Sequence, residues 1–193
     1  MRRIALIALL FAASLAMANE RGEARLKRIS THYSALGAYK VEFKLRASDG
    51  VQKGELMVVD NNSYMRVGDT EVYVVDSSRY EVRTSTKEII VDRADLYEKD
   101  LLNPMNGFSN IAADYNIEEC EREGSLAVRL SPKQSGETIY VILAADGESI
   151  LKVQYSSGEH NAEMVLESCY KTSQPLPRFS KERYKGFELI DFR

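Results

Sequence analysis

The sequence predicts an α+β protein built on one large, curved antiparallel sheet, an incomplete β-barrel of about 11 strands with helices covering its concave apolar face. Three observations lead to this prediction. Apolar residues recur at every second position through most of the chain, short polar turns separate these runs, and only two segments lack the alternation. Many antiparallel strands with few helices are typical of a sheet that curls, and the concave face of such a sheet needs a cover.

The first helix and the first strand follow each other directly. Four apolar residues repeat at helical spacing and therefore share one face, and Gly37 is expected to end this helix. These residues are Leu26, Ile29, Tyr33 and Leu36. From residue 39 the period changes to two, because Val41, Phe43 and Leu45 alternate with charged residues.

The remaining segments continue as a meander with one interruption. A turn at Asp49-Gly50 leads into a second strand, and four short strands follow up to residue 91. Residues 92–110 lose the alternation and indicate one or two helices. About five more strands follow between residues 115 and 168, and a last short strand is predicted at residues 187–192.

Residues 1–18 have the pattern of a signal peptide. Arg2 and Arg3 precede an apolar run of about twelve residues, and Ala16-Met17-Ala18 supplies the small residues that a signal peptidase reads. The apolar run is shorter than the roughly twenty residues that span a bilayer. We therefore expect cleavage after Ala18, a location in the periplasm, and a mature chain of residues 19–193 that forms a single domain.

The charge of the predicted mature chain disfavours some partners. Cleavage removes Arg2 and Arg3, which leaves 24 basic and 29 acidic residues and a net charge of −5. Nucleic acid and anionic membrane surfaces attract positive charge, so neither is expected as the main partner.

The chain has two cysteines, Cys120 and Cys169. In an oxidising compartment a pair of cysteines is more often a disulfide than a reactive site. We therefore expect a bridge between them, with two free buried thiols as the alternative.

Motifs of catalysis and cofactor binding are absent from the sequence. It has no G-x-S-x-G, no P-loop, no G-x-G-x-x-G and no H-E-x-x-H. Two cysteines and the distant His32 and His160 do not form a metal-binding pattern. We expect that the protein is not an enzyme and that it binds neither a cofactor nor a metal. An enzyme that acts on a lipid or an envelope polymer is a weaker hypothesis than the two that are given below.

The order of motifs resembles the periplasmic outer-membrane lipoprotein carrier family (LolA-like) over nearly all of the mature chain. A helix running straight into a strand at residues 26–45 precedes Gly54-Glu55-Leu56-Met57-Val58, which is similar to the second strand of the family. Further similar motifs are Tyr64-Met65-Arg66-Val67, residues 71–76, Leu102-Asn103-Pro104, Leu130-Ser131-Pro132 and the ending 183–193.

The resemblance implies a monomeric carrier that holds the acyl chains of lipoproteins in an apolar cavity. Such a carrier receives its cargo from an inner-membrane releasing complex and passes it to an outer-membrane receptor. Members of the family place an arginine just after the second strand, where it holds a lid helix. This chain has Val59-Asp60-Asn61-Asn62 there, with Arg66 as the nearest substitute. The alternative is therefore a LolA-like lipid-binding or envelope-sensing module that does not shuttle lipoproteins.

The resemblance also implies that the inward-facing residues of strands and helices line the lipid-binding cavity; an ordinary dry core is the other reading. Strand parity selects one set of alternate residues in each strand, and the more apolar set is taken as inward. The strand residues are Val41, Phe43, Leu45, Leu56, Val58, Met65, Val67, Val72, Val74, Tyr80, Val82, Ile89 and Val91. The helix residues are Leu26, Ile29, Tyr33, Leu101, Leu102, Met105 and Phe108.

Overall fold

A computed structural model describes residues 2–48, 50–94, 108, 111–134, 136–157 and 160–193, with side chains from Asn19 onward except those of residues 157 and 160. Helix α1 spans Arg2–Leu36 and ends at Gly37, as predicted, where φ is 69°. Six strands follow: β1 Tyr39–Ala47, β2 Gly50–Val59, β3 Asn62–Val67, β4 Thr70–Val75, β5 Ser78–Arg83 and β6 Glu88–Arg93.

The second half of the chain adds six more strands. They are β7 Tyr115–Arg122, β8 Ser125–Pro132, β9 Thr138–Leu143, β10 Ile150–Ser157, β11 His160–Lys171 and β12 Glu188–Asp191. Single 3-10 turns at Ile111–Ala113 and Lys181–Tyr184 precede β7 and β12. Among the described helices, none has the length and apolarity that a membrane span requires.

All twelve strands belong to one sheet in the order β12-β6-β5-β4-β3-β2-β1-β11-β10-β9-β8-β7. Strand β12 runs parallel to β6, and the other neighbours are antiparallel. Because β1 pairs with both β2 and β11, the two halves of the chain meet in the middle of the sheet. The edges β12 and β7 do not pair with each other, so the sheet is open. The predicted α+β incomplete barrel is therefore confirmed, with twelve strands where about 11 were expected.

Tight turns keep the strands of the meander in sequence order. Asp60 and Asp76 connect neighbouring strands with φ angles of 52° and 54°. Aspartate tolerates this left-handed conformation better than most residues, and primed hairpin turns require it. The polar turn signals in the sequence therefore mark real hairpins.

The two faces of the sheet have different covers. The helix face carries α1 and a large apolar core that includes Ile29, Val41 and Val128. The opposite face, here called the strap face, is crossed by residues 172–187, here called the strap. This segment leaves β11, begins with a hydrogen bond from Thr172 N to Ala38 O, and reaches β6, where Glu188 N donates to Lys87 O.

Helix α1 fits closely against the edge strand β7. Asn19 Oδ1 accepts a hydrogen bond from Ile117 N at 2.8 Å, which satisfies a donor on the open edge of the sheet. A Cβ atom at Gly22 would stand 2.8 Å from the backbone carbon and oxygen of Ile117. The absence of a side chain at Gly22 therefore lets the helix approach the strand.

The expected bridge between Cys120 and Cys169 is wrong, since both cysteines are free. Cys169 lies opposite Val41 and faces the helix face, whereas Cys120 lies opposite Ala127 in a row that faces the other way. Three strands also separate β7 from β11, a distance of roughly 19 Å at about 4.8 Å per strand. A disulfide needs Cα atoms within about 7 Å of each other.

Candidate lipid-binding groove

The structure brings most of the predicted lining residues of the first half together on the helix face. The buried members are Leu26, Ile29, Tyr33, Val41, Phe43, Leu56, Val58 and Phe108. Leu45, Met65 and Val67 are partly buried and pack against the same core. Val72 lies opposite Met65, and Val74 lies opposite Ser63, so the register also places these two on the helix face. Leu101, Leu102 and Met105 lie outside the described residues.

Four predicted residues face the other way. Tyr80, Val82, Ile89 and Val91 belong to the cluster on the strap face, together with Tyr73 and Tyr184. The helix face of β5 instead carries Arg79, Glu81 and Arg83, as the pairing of Val72 with Glu81 shows. The prediction assumed that the more apolar residues of each strand face the helix side of the sheet. It is wrong for β5 and β6 because the strap covers the opposite face and buries apolar residues there as well.

A groove of about 700 Å³ runs between α1 and the chain around β7. Its apolar floor is formed by Leu26, Phe108, Ile111 and Ile117. The helix contributes small side chains to the wall, namely Ala24, Ser30, Thr31 and Ser34. Apolar grooves of this size are typical ligand sites. Here the small residues of α1 leave the space open.

Polar groups of α1 lie in the wall and at the rim of the groove. The Thr31 hydroxyl donates to Lys27 O at 2.9 Å, which satisfies it within the helix. Glu20, Glu23 and Lys27 lie at the rim, where α1 meets solvent. A ligand with an apolar chain and a polar end would meet matching surfaces at the floor and the rim.

Polar contacts fix the other side of α1 to the sheet. Arg25 pairs with Glu119 at 2.9 Å and donates to Gly147 O at 3.2 Å. The Tyr33 hydroxyl accepts a hydrogen bond from Ile150 N at 3.1 Å, and burial raises the pKa of Tyr33 to about 12. Tyr33 therefore stays neutral in the core at physiological pH. These anchors hold the helix in place without filling the groove.

Sequence reasoning missed the contribution of the second half of the chain. The helix-face core also contains Ile111, Ile117, Val128, Leu130, Ile139, Val141, Leu143, Ile150, Val153 and Met164. A signal was present at Val128 and Leu130, which flank the charged Arg129. Strand β9 gave a weaker signal, because Ile139, Val141, Ile142 and Leu143 are all apolar and do not define one inward set.

Arg66, which the sequence offers as the nearest substitute for the arginine of the carrier family, lies on the face of the sheet opposite the groove. It lies opposite Glu71 on the strap face and pairs with Glu55 at 2.8 Å. On the helix face, Arg79 and Arg83 both bind Glu81, at 2.6 and 2.7 Å. Burial acts to raise the pKa of Glu81, but the two arginines outweigh it and lower that pKa. The carboxylate therefore remains charged and keeps both guanidinium groups engaged.

The fold and the groove define an open antiparallel barrel with an apolar ligand groove beside a helix. This arrangement is the one that the resemblance to the lipoprotein carriers implies. No model of a known family matches the sequence, and no curated protein matches it.

Solved structures of similar shape come from several bacteria. An uncharacterized conserved protein from Thermus thermophilus has a TM-score of 0.59 at 10% identity, over 87% of this chain and 97% of that chain. A domain provisionally described as outer-membrane lipoprotein-sorting, from Vibrio parahaemolyticus, has a TM-score of 0.46 at 9% identity, over 86% and 97%. The Pseudomonas aeruginosa MucA/MucB complex gives 0.48 at 14%, over 86% and 61%. At such identities the likeness to the Thermus protein shows the fold alone.

Proposed function

We propose that the protein is a periplasmic carrier that holds the acyl chains of lipoproteins in the groove beside α1 and transports them toward the outer membrane. The observation that supports this most directly is the apolar floor of the groove, which continues into the helix-face core. Each methylene that leaves water contributes about 0.8 kcal/mol, so a groove of this kind can hold an acyl chain in an aqueous compartment.

The proposed route needs two partners and an exported protein. The predicted signal peptide would deliver the chain to the periplasm, where an inner-membrane releasing complex would load it and an outer-membrane receptor would unload it. The protein would act as a monomer, since one groove is sufficient for one cargo molecule. These proposals extend the resemblance drawn from the sequence.

A substitution that fills the groove tests the proposal. Ala24 and Ala35 are both exposed on α1, but Ala24 lines the groove and Ala35 does not. We expect Ala24→Phe to lower the amount of lipid that copurifies, as measured by native mass spectrometry, and Ala35→Phe to leave it unchanged. Equal lipid content in both variants, or no lipid after addition of detergent or fatty acid, would contradict the proposal.

A second candidate function is lipid binding or envelope sensing without shuttling. It is favoured by the position of Arg66, which faces away from the groove, and by the engagement of Arg79 and Arg83 with Glu81. Incubation of the mature protein with inner-membrane vesicles that carry a lipoprotein separates the two functions. A carrier extracts the lipoprotein from the vesicles into the supernatant and passes it on to an acceptor. A sensing module binds lipid but does not transfer the lipoprotein.

A further inference from the structure

The C-terminal segment is basic, although the protein as a whole is acidic. Residues 171–193 carry six basic and three acidic side chains, whereas residues 19–170 carry 18 basic and 26 acidic ones. The negative net charge of the chain, which disfavours an anionic surface as a partner, is therefore located in residues 19–170. The positive part coincides with the strap and β12.

Three of these basic side chains form no ion pair with the described residues, and the acidic side chain next to them in the same hollow is Glu182. Arg183 pairs with Glu71, and Arg193 pairs with Asp191. Arg178, Lys181 and Lys185 are exposed, and none of them forms an ion pair with any residue in the described part of the chain. Their positive charge is therefore available to an anionic ligand.

Exposed apolar side chains lie beside these lysines. Lys181 and Lys185 line one surface hollow together with Phe187 and Leu189. Leu189 is 37% exposed. The exposed part of Leu189 therefore lies next to the positive side chains of Lys181 and Lys185.

We propose that this surface docks the protein on the anionic headgroup region of a membrane. The lysines would contact phospholipid phosphates, and Leu189 would insert among the headgroups. Basic residues beside exposed apolar side chains are the combination that interfacial binding uses. The acidic remainder of the chain is repelled by an anionic surface, so the protein would approach with the strap and β12 foremost.

Sedimentation with lipid vesicles tests this docking surface. The mature protein should bind vesicles of phosphatidylethanolamine and phosphatidylglycerol and should not bind phosphatidylcholine vesicles. The double variant Lys181→Ala/Lys185→Ala should bind the anionic vesicles about 25-fold more weakly, since each basic residue near an anionic surface contributes about a fivefold factor, or about 1 kcal/mol. The matched control is Arg28→Ala/Lys53→Ala, which removes two exposed charges elsewhere and should leave binding unchanged.

Further measurements separate the membrane from other sources of the same chemistry. Leu189→Ala should weaken vesicle binding, and millimolar inorganic phosphate should not compete with it. The proposal is wrong if neutral and anionic vesicles bind equally, if free phosphate displaces the vesicles, or if the control pair loses as much binding as the lysine pair. Ala24→Phe should bind vesicles like the unmodified protein. A failure of lipid carriage and a failure of membrane docking are therefore distinguishable.

Discussion

In the described part of the chain, helix α1 covers the helix face of the sheet and the strap covers the opposite face, and the two covers are held in different ways. Helix α1 packs apolar residues such as Leu26 and Ile29 into a large, mainly aliphatic core and borders a groove whose floor includes Leu26. The strap packs aromatic rings on aromatic rings around a buried carboxylate. A cover built from aliphatic packing and small residues can border an open site. A cover that packs over a buried carboxylate has to exclude water from that carboxylate.

The strap is held by Glu71, whose side chain is 9% exposed. Tyr73 donates to Glu71 at 2.6 Å, Tyr184 also donates to it, and Arg183 binds its other oxygen at 3.0 Å. The rings of Phe179 and Tyr80 stack with centroids 4.2 Å apart. A buried charge is tolerated when it is fully hydrogen-bonded, and here two of its three partners come from the strap. The strap is therefore part of the folded core.

Removal of the Tyr184 ring gives the largest expected effect. Tyr184 is 5% exposed and packs against Phe179 and Phe187. We expect Tyr184→Ala to lower the free energy of unfolding by about 3 to 5 kcal/mol, the range for large buried aromatic residues. Urea denaturation at neutral pH measures this change. Tyr170→Ala, at a residue that is 45% exposed, serves as the control and should cost far less. A loss below about 1 kcal/mol for Tyr184→Ala would show that the strap is a loose cover.

Stability should also depend on pH through Glu71. Burial acts to raise the pKa of this carboxyl, but hydrogen bonds from Tyr184 and Tyr73 and the charge of Arg183 outweigh it and lower the pKa. The stabilising contribution is therefore complete above the unfolded-state pKa of about 4.3 and is lost as the pH falls through the lower folded-state pKa. At pH 7 we expect Glu71→Gln to cost about 1.5 to 3 kcal/mol, and this cost should shrink below about pH 4.

A control for Glu71 lies on the same face of the sheet. Glu167 pairs with Lys44, and the two side chains are 39% and 35% exposed. Glu167→Gln should therefore cost at most about 1 kcal/mol. Equal pH profiles for Glu71→Gln and Glu167→Gln would mean that burial of Glu71 adds nothing to the strap.

The contact of α1 with β7 can be tested at Gly22. In an exposed helix position, glycine to alanine stabilises by up to about 1 kcal/mol. At Gly22 the added Cβ would meet the backbone of Ile117 at 2.8 Å, so Gly22→Ala should instead destabilise by about 1 to 3 kcal/mol through overpacking. Thermal unfolding with Ser34→Ala as the exposed control measures this difference. A stabilised Gly22→Ala variant would show that the helix can move away from the sheet without cost.

The two faces also show what could be predicted from the sequence. The face of β1 is predicted correctly because the residues that alternate with Val41, Phe43 and Leu45 are charged, and the order of turns predicts an open antiparallel sheet. In β2 the preference for Leu56 and Val58 rests on Glu55 alone, because Met57 and Val59 are also apolar. The faces of β5 and β6 were assigned wrongly, because Tyr80 and Val82 are buried by the strap, a segment about 100 residues further along the chain. Alternation shows which residues are buried, and it does not show which element buries them. The close approach of α1 to β7 at Gly22 has no signal in the apolar pattern.

The smallest expected effect concerns the cysteines, and it tests whether the two faces are separate. Cys169 faces the helix face and Cys120 the opposite one, so a bond between them would require the sheet to break. We expect mild oxidation to leave both thiols free in the folded protein, as measured by thiol titration and mass spectrometry. The unfolding temperature should be the same with and without a reductant, because no bridge constrains the unfolded chain. A bridge that forms in the folded protein would contradict the assignment of faces on which the groove and the strap both depend.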